Sequence, residues 1–132
     1  MVLEELREWD QSYLIKFIII KYRYKKIIMN NEKNFTLKEA FILAIQNHQN
    51  NNLQDAQSYY HKVLKIDPNF VSAHNNLGVI FKELGENQKA IGCCEKAIEI
   101  NPNYADAHNN LGIILQELGE LQKAKSCFEK TI

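Results

Sequence analysis

Two stretches of this chain are almost the same stretch. Residues 73–90 read AHNNLGVIFKELGENQKA and residues 107–124 read AHNNLGIILQELGELQKA, with fourteen of eighteen positions identical at an offset of 34. A weaker third copy lies upstream in the same register. Ala56, Ala90 and Ala124 are 34 apart, as are Tyr60, Cys94 and Phe128, and Asp67-Pro68-Asn69 matches Asn101-Pro102-Asn103. A repeat of this length narrows the fold more than composition can. Each copy is one supersecondary unit that cannot bury its hydrophobic face alone, so neighbouring copies must stack. The copies run from about 37–70 through 71–104 to 105–132, the last one incomplete.

Each copy reads as two helices. Leu77, Ile80, Phe81 and Leu84 follow i, i+3, i+4, i+7 spacing and share one helix face. Gly85 ends that helix, as Gly119 does one copy later. Ala90, Ile91, Cys94, Ala97 and Ile98 repeat the period on a second helix, which stops before Pro102. The small residues Gly78 and Ala90, and again Gly112 and Ala124, allow the two helices to approach closely, and a bulky side chain at Gly78 would force them apart. Thr36 and Glu39 have the spacing of a capping box at the start of the first copy.

The period, the Leu-Gly pairs Leu77-Gly78 and Leu111-Gly112, the alanine opening the second helix and the closing proline together resemble the tetratricopeptide repeat. The likeness covers about three quarters of the chain. The first copy departs from it, with Leu43-Ala44 for Leu-Gly and Asn47 where an aromatic is usual, so that hairpin is expected to pack less well. The resemblance implies an all-α fold, a right-handed α-solenoid of about three antiparallel helix pairs. It also implies a concave groove, lined by the first helix of each pair, that receives an extended peptide or a partner's helix.

Residues 1–34 are a separate segment. Val2, Leu6, Trp9, Tyr13, Phe17, Ile20, Tyr24 and Ile27 are spaced as an amphipathic helix, with acids at its start and Lys21, Arg23, Lys25 and Lys26 near its end. The density of Ile, Tyr and Phe also suits a strand. As a helix it could cap the first copy or lie on a membrane surface. Its longest apolar run, Phe17–Ile20, falls far short of the roughly twenty residues needed to span a bilayer. A further reading is an extension that is not part of the native protein. From Tyr13 to Asn34, eighteen of 22 residues are Ile, Lys, Asn, Tyr or Phe, and Met29 just before the array could be a start.

Candidate chemistry is sparse. His74 and His108 are equivalent, but stacked copies hold such side chains about 10 Å apart, too far to share a zinc bound at about 2 Å. They read as packing at the junction with the preceding hairpin. Cys93, Cys94 and Cys127 lack CxxC spacing and are odd in number, so a disulfide framework is not expected and a reducing, cytoplasmic compartment is. No phosphate loop, nucleophile elbow or metal-ligand spacing is present, and no enzyme activity, cofactor or metal is expected. Lysine plus arginine balances aspartate plus glutamate, 16 to 16, which gives no global attraction to nucleic acid or to an anionic membrane.

The asparagines carry more. An amide both donates and accepts, so it can hold a peptide backbone without reading its side chains. Asn76 and Asn110 repeat one place on successive first helices, similar to the asparagine ladder in the repeat region of O-linked N-acetylglucosamine transferases. The first copy has Ile42 there. The expected groove residues are Asn75, Asn76, Lys82, Asn109 and Asn110. The expected function is a scaffold that binds a protein or peptide partner. The alternative is the N-terminal part of a larger glycosyltransferase or sulfotransferase. Self-association through the apolar edge of the last hairpin is also allowed by the pattern.

Overall fold

The computed structural model describes residues 11–33, of which 11–25 with their side chains, and 35–131. The readings placed on Val2, Leu6, Trp9 and Ile27 lie outside the described side chains. Two units result, one up to Phe35 and one from Thr36 onward. Among its described residues the first contains one helix, α1 (Gln11–Lys33), so the strand reading of these residues does not hold. Tyr13, Phe17, Ile20 and Tyr24 are exposed on it. No helix among the described residues is long and apolar enough to cross a membrane.

The second unit is an α-solenoid of three hairpins: α2 (Leu37–Gln49) with α3 (Leu53–Ile66), α4 (Val71–Glu83) with α5 (Asn87–Ile100), and α6 (Ala105–Glu117) with α7 (Leu121–Glu129). The first helix starts at a complete capping box. Thr36 Oγ1 accepts from the Glu39 amide at 3.2 Å, and the Glu39 carboxylate accepts from the Thr36 amide at 3.4 Å. The first helix of every hairpin ends in the same way. The amides of Asn52, Glu86 and Glu120 reach back five residues to the carbonyls of Asn47, Phe81 and Leu115, each at 2.8 Å. This closure needs a left-handed residue just before, supplied by Gly85 (φ 77) and Gly119 (φ 80). Asn51 (φ 61) holds that place in the first hairpin, and asparagine is one of the few side chains that tolerates it.

The core is a line of small residues against a few large ones. Ala90, Ala97 and Ala124 are buried on the second helices; Leu77, Phe81 and Leu111 are buried on the first. Where the helices of a hairpin cross, Gly78 faces Cys94 and Gly112 faces Phe128. A Cβ on Gly78 would lie 3.0 Å from Cys94 Sγ, and one on Gly112 would lie 2.7 Å from the Phe128 ring. The first hairpin has Ala44 at this position and Tyr60 opposite, and both are buried. The poorer packing expected there from Leu43-Ala44 is not seen at this crossing. Asn47, in the aromatic's place, uses its Nδ2 to donate to Leu43 O at 2.8 Å.

Candidate functional site

The joints between hairpins decide what the asparagines can do. First helices α2, α4 and α6 lie side by side, and α4 shows one face to the hairpin before and another to the hairpin after. At the second joint, Asn110 Nδ2 donates to Asn75 Oδ1 at 2.9 Å. Asn75 is only 5% exposed, so it is a tie between hairpins and not a lining of any groove. That corrects the expectation for this residue, and the reason is geometric: it sits on the face that α6 covers.

At the first joint the equivalent tie cannot form, because Phe41 stands where Asn75 would be. Asn76 instead donates from Nδ2 to the Tyr60 hydroxyl on α3, at 3.1 Å. Cys94 occupies Tyr60's place in the next hairpin and offers no hydroxyl, which is why Asn110 turns to Asn75. The two amides are equivalent in sequence and half-buried in structure, yet each is pinned by a different partner. Among the described residues neither Asn76 Oδ1 nor Asn110 Oδ1 receives a hydrogen bond.

A second row of contacts runs at the ends of the first helices. His48 Nε2 lies 3.1 Å from Glu83 Oε2, and Lys82 Nζ lies 3.2 Å from Glu117 Oε1. Lys82 is thus a link to the next hairpin, half-buried, and not a free cation. Asn109, by contrast, is exposed on α6. A third row involves the aromatic residue before α4 and before α6: Phe70 packs edge-on against Phe41 with ring centroids 5.0 Å apart, and the Tyr104 hydroxyl lies 3.2 Å from Ser72 Oγ.

The sequence carried a signal for these pairs that the 34-residue alignment passes over. His48–Glu83, Lys82–Glu117 and Asn75–Asn110 are each separated by 35, one repeat plus one residue. Two parallel copies of a helix cannot touch through the same position; each presents a different face to the other. Tyr60, Ser72 and Tyr104 escaped sequence reasoning because their partners depend on which side chain the neighbour happens to supply.

His74 and His108 each meet the carbonyl of the proline in the loop before their own helix, Pro68 at 2.8 Å and Pro102 at 2.7 Å. A carbonyl only accepts, so Nε2 carries the proton in both rings. Burial pushes the Cys94 thiol up to about 12 and the Cys93 thiol up to about 11. Neither sulfur is a ready nucleophile, since reactivity belongs to the thiolate.

Family models described as tetratricopeptide repeat match residues 71–104 and 93–126. The fold is similar to that of solved structures described as "Crystal structure of MamA", with TM-score 0.69 and 25% identity over 73% of this chain and 56% of that one. A second, "Crystal structure of MamA protein", gives TM-score 0.68 and 25% identity over 73% of this chain and 52% of that one. A third, "MamA MSR-1 C2", gives 0.68 and 23% over 81% and 60%. This chain therefore spans little more than half the length of the proteins it resembles. No curated protein matches the sequence.

Proposed function

We propose that this chain, a tetratricopeptide-repeat protein and in general terms a protein-interaction scaffold, receives an extended segment of its partner across the first helices of its hairpins. One observation carries the reading. Asn76 and Asn110 stand at the same place on successive first helices, and each is held by its donor side while, among the described residues, its acceptor oxygen is left unused. A side chain fixed in this way offers its oxygen with little further loss of rotamer freedom, which lowers the cost of binding. Backbone N–H groups of an extended partner are the natural donors to two such oxygens, because they recur along any sequence. The partner is then recognised first by its conformation and only second by its side chains.

The test is a displayed library of extended peptides selected against the whole chain. Retrieved peptides should bind the Asn76→Ala, Asn110→Ala double variant more weakly by roughly tenfold or more, two lost hydrogen bonds of about 1 kcal/mol each. Helical content measured by circular dichroism should stay the same. Tyr60→Phe removes the Asn76 tie but keeps its oxygen, and should reduce binding much less. Equal affinity for the wild type and the double variant rules the reading out.

A further inference from the structure

Whatever fills the face that bears Asn76 and Asn110 has to match two things: the polar groups left free there, and the interval between them. Among the described residues, no buried side-chain nitrogen or oxygen lacks a hydrogen-bond partner. The two amide oxygens have none, so they are open to solvent. Both amides point Nδ2 back at the preceding hairpin, to Tyr60 on α3 and to Asn75 on α4, so both oxygens are offered in the same sense. Neighbouring packed helices stand about 8–10 Å apart, and that sets the interval between the two oxygens.

Few backbone conformations present N–H groups on one side at that interval. An α-helix spends its N–H groups on its own carbonyls. A β-strand turns successive residues to opposite sides, so N–H groups on one side recur every two residues, about 7 Å. A step of three residues in a strand, about 10 Å, would turn the second donor away. In a polyproline II segment three residues complete one turn and rise about 9 Å. Every third N–H then returns to the same side at the spacing of the hairpins.

The aliphatic side chains of the face agree with this. Val79 and Ile113, half-buried, stand one helical turn beyond Asn76 and Asn110. A proline ring has no N–H to satisfy and suits such a surface. In the first hairpin Ile42 replaces the asparagine and is 42% exposed, with Ile45 half-buried one turn beyond.

Building on the reading above, we propose that the segment received is a polyproline II segment in register with the repeat, three residues to a hairpin. Two residues a turn apart keep their N–H groups for Asn76 and Asn110, so neither is proline, while the residues between them are free to be proline. One turn away, at the first hairpin, stands a large apolar residue that packs on Ile42 and Ile45, because no amide is there to take an N–H. Such a segment is extended before it binds, which reduces the conformational entropy it loses.

The experiment compares two acetylated, amidated peptides of one composition, titrated into the whole chain and followed by its amide chemical shifts. The first, Leu-Pro-Pro-Ala-Pro-Pro-Ala-Pro-Pro-Leu, has its internal N–H groups three residues apart and a leucine one turn beyond them in either chain direction. The second, Leu-Pro-Ala-Pro-Pro-Pro-Pro-Ala-Pro-Leu, sets them five apart, on different sides of the helix. The first should bind more tightly by about fivefold, one hydrogen bond that the second cannot make. Ile42→Ala should weaken the first peptide by about threefold. The peptide comparison uses the unaltered chain, so no variant's folding enters it. Equal affinity for the two peptides, both weakened by the Asn76→Ala, Asn110→Ala double variant, overturns the polyproline register and leaves the amide reading standing. Affinities that the double variant does not change overturn both. If neither peptide binds while library peptides do, in a way that needs Asn76 and Asn110, the segment is extended but not polyproline, and this inference alone falls.

Discussion

Gly112 and Phe128 show how tightly a single residue can be specified here. A methyl on Gly112 would meet three atoms of the Phe128 ring at 2.7 to 2.9 Å, distances that real Cβ atoms do not show. Alanine is favoured over glycine in a helix by about 1 kcal/mol, but forcing the ring aside costs about 1–3 kcal/mol. Gly112→Ala should therefore destabilise the array in urea titrations, and the same change made with Phe128→Ala should be neutral or stabilising. If Gly112→Ala stabilises with Phe128 in place, the crossing is looser than described. The buried thiols give a second residue-scale consequence. Cys94 has a folded pKa of about 12 against an ordinary 9.0, so its contribution to stability is complete below about pH 9 and lost as pH rises through the folded value. Cys93 adds in the same direction up to about 11. The urea midpoint should fall between about pH 8 and about pH 11, and Cys94→Ala should flatten part of that fall. A slope unchanged by the substitution would place the thiol in water.

At the scale of the helices, magnitudes separate what holds the array together from what sets its register. A fully buried Leu, Ile or Phe contributes about 1.5–3 kcal/mol, while an exposed ion pair contributes about 0–1. Lys82–Glu117 and His48–Glu83, part exposed, belong to the second group; they align first helices more than they stabilise them. The Asn75–Asn110 bond is different, because Asn75 is buried and an orphaned buried amide costs about 1–3 kcal/mol. Asn110→Ala should lower stability by about that amount, and Asn75→Ala, Asn110→Ala together should cost less than the sum of the two. Additive losses in a double-mutant cycle would mean that the bond does not form. At the first joint the aromatic contact of Phe41 with Phe70 stands where this amide tie is missing.

For the whole molecule, the buried hydrophobic residues among those described run from Ala40 to Ala124, within the unit that begins at Thr36. A solenoid is stabilised by its repeats and by nearest-neighbour joints, without contacts distant in sequence. Residues 35–132 produced alone should therefore unfold cooperatively with an unchanged melting temperature. A markedly lower one would show that residues 1–34 contribute to the fold, and would count against treating them as separate.

Much of this was readable from the chain. The 34-residue period gave the number of hairpins. Gly85 and Gly119 marked the helix ends, Thr36 with Glu39 marked the first helix start, and the alanines marked the crossings. These are local features: backbone conformation, helical spacing and side-chain size act within a few residues, so a sequence records them directly. The partners of the asparagines were of another kind. Nothing near Asn110 in sequence says that its amide is spent on Asn75, or that Asn76, its twin, is spent on Tyr60. That outcome depends on which side chain a neighbouring hairpin brings within 3 Å, and only the stacked structure decides it. The sequence alone therefore determined the repeat and its helices. Tertiary structure determined which polar groups are consumed in holding the repeats together and which are left to meet a partner.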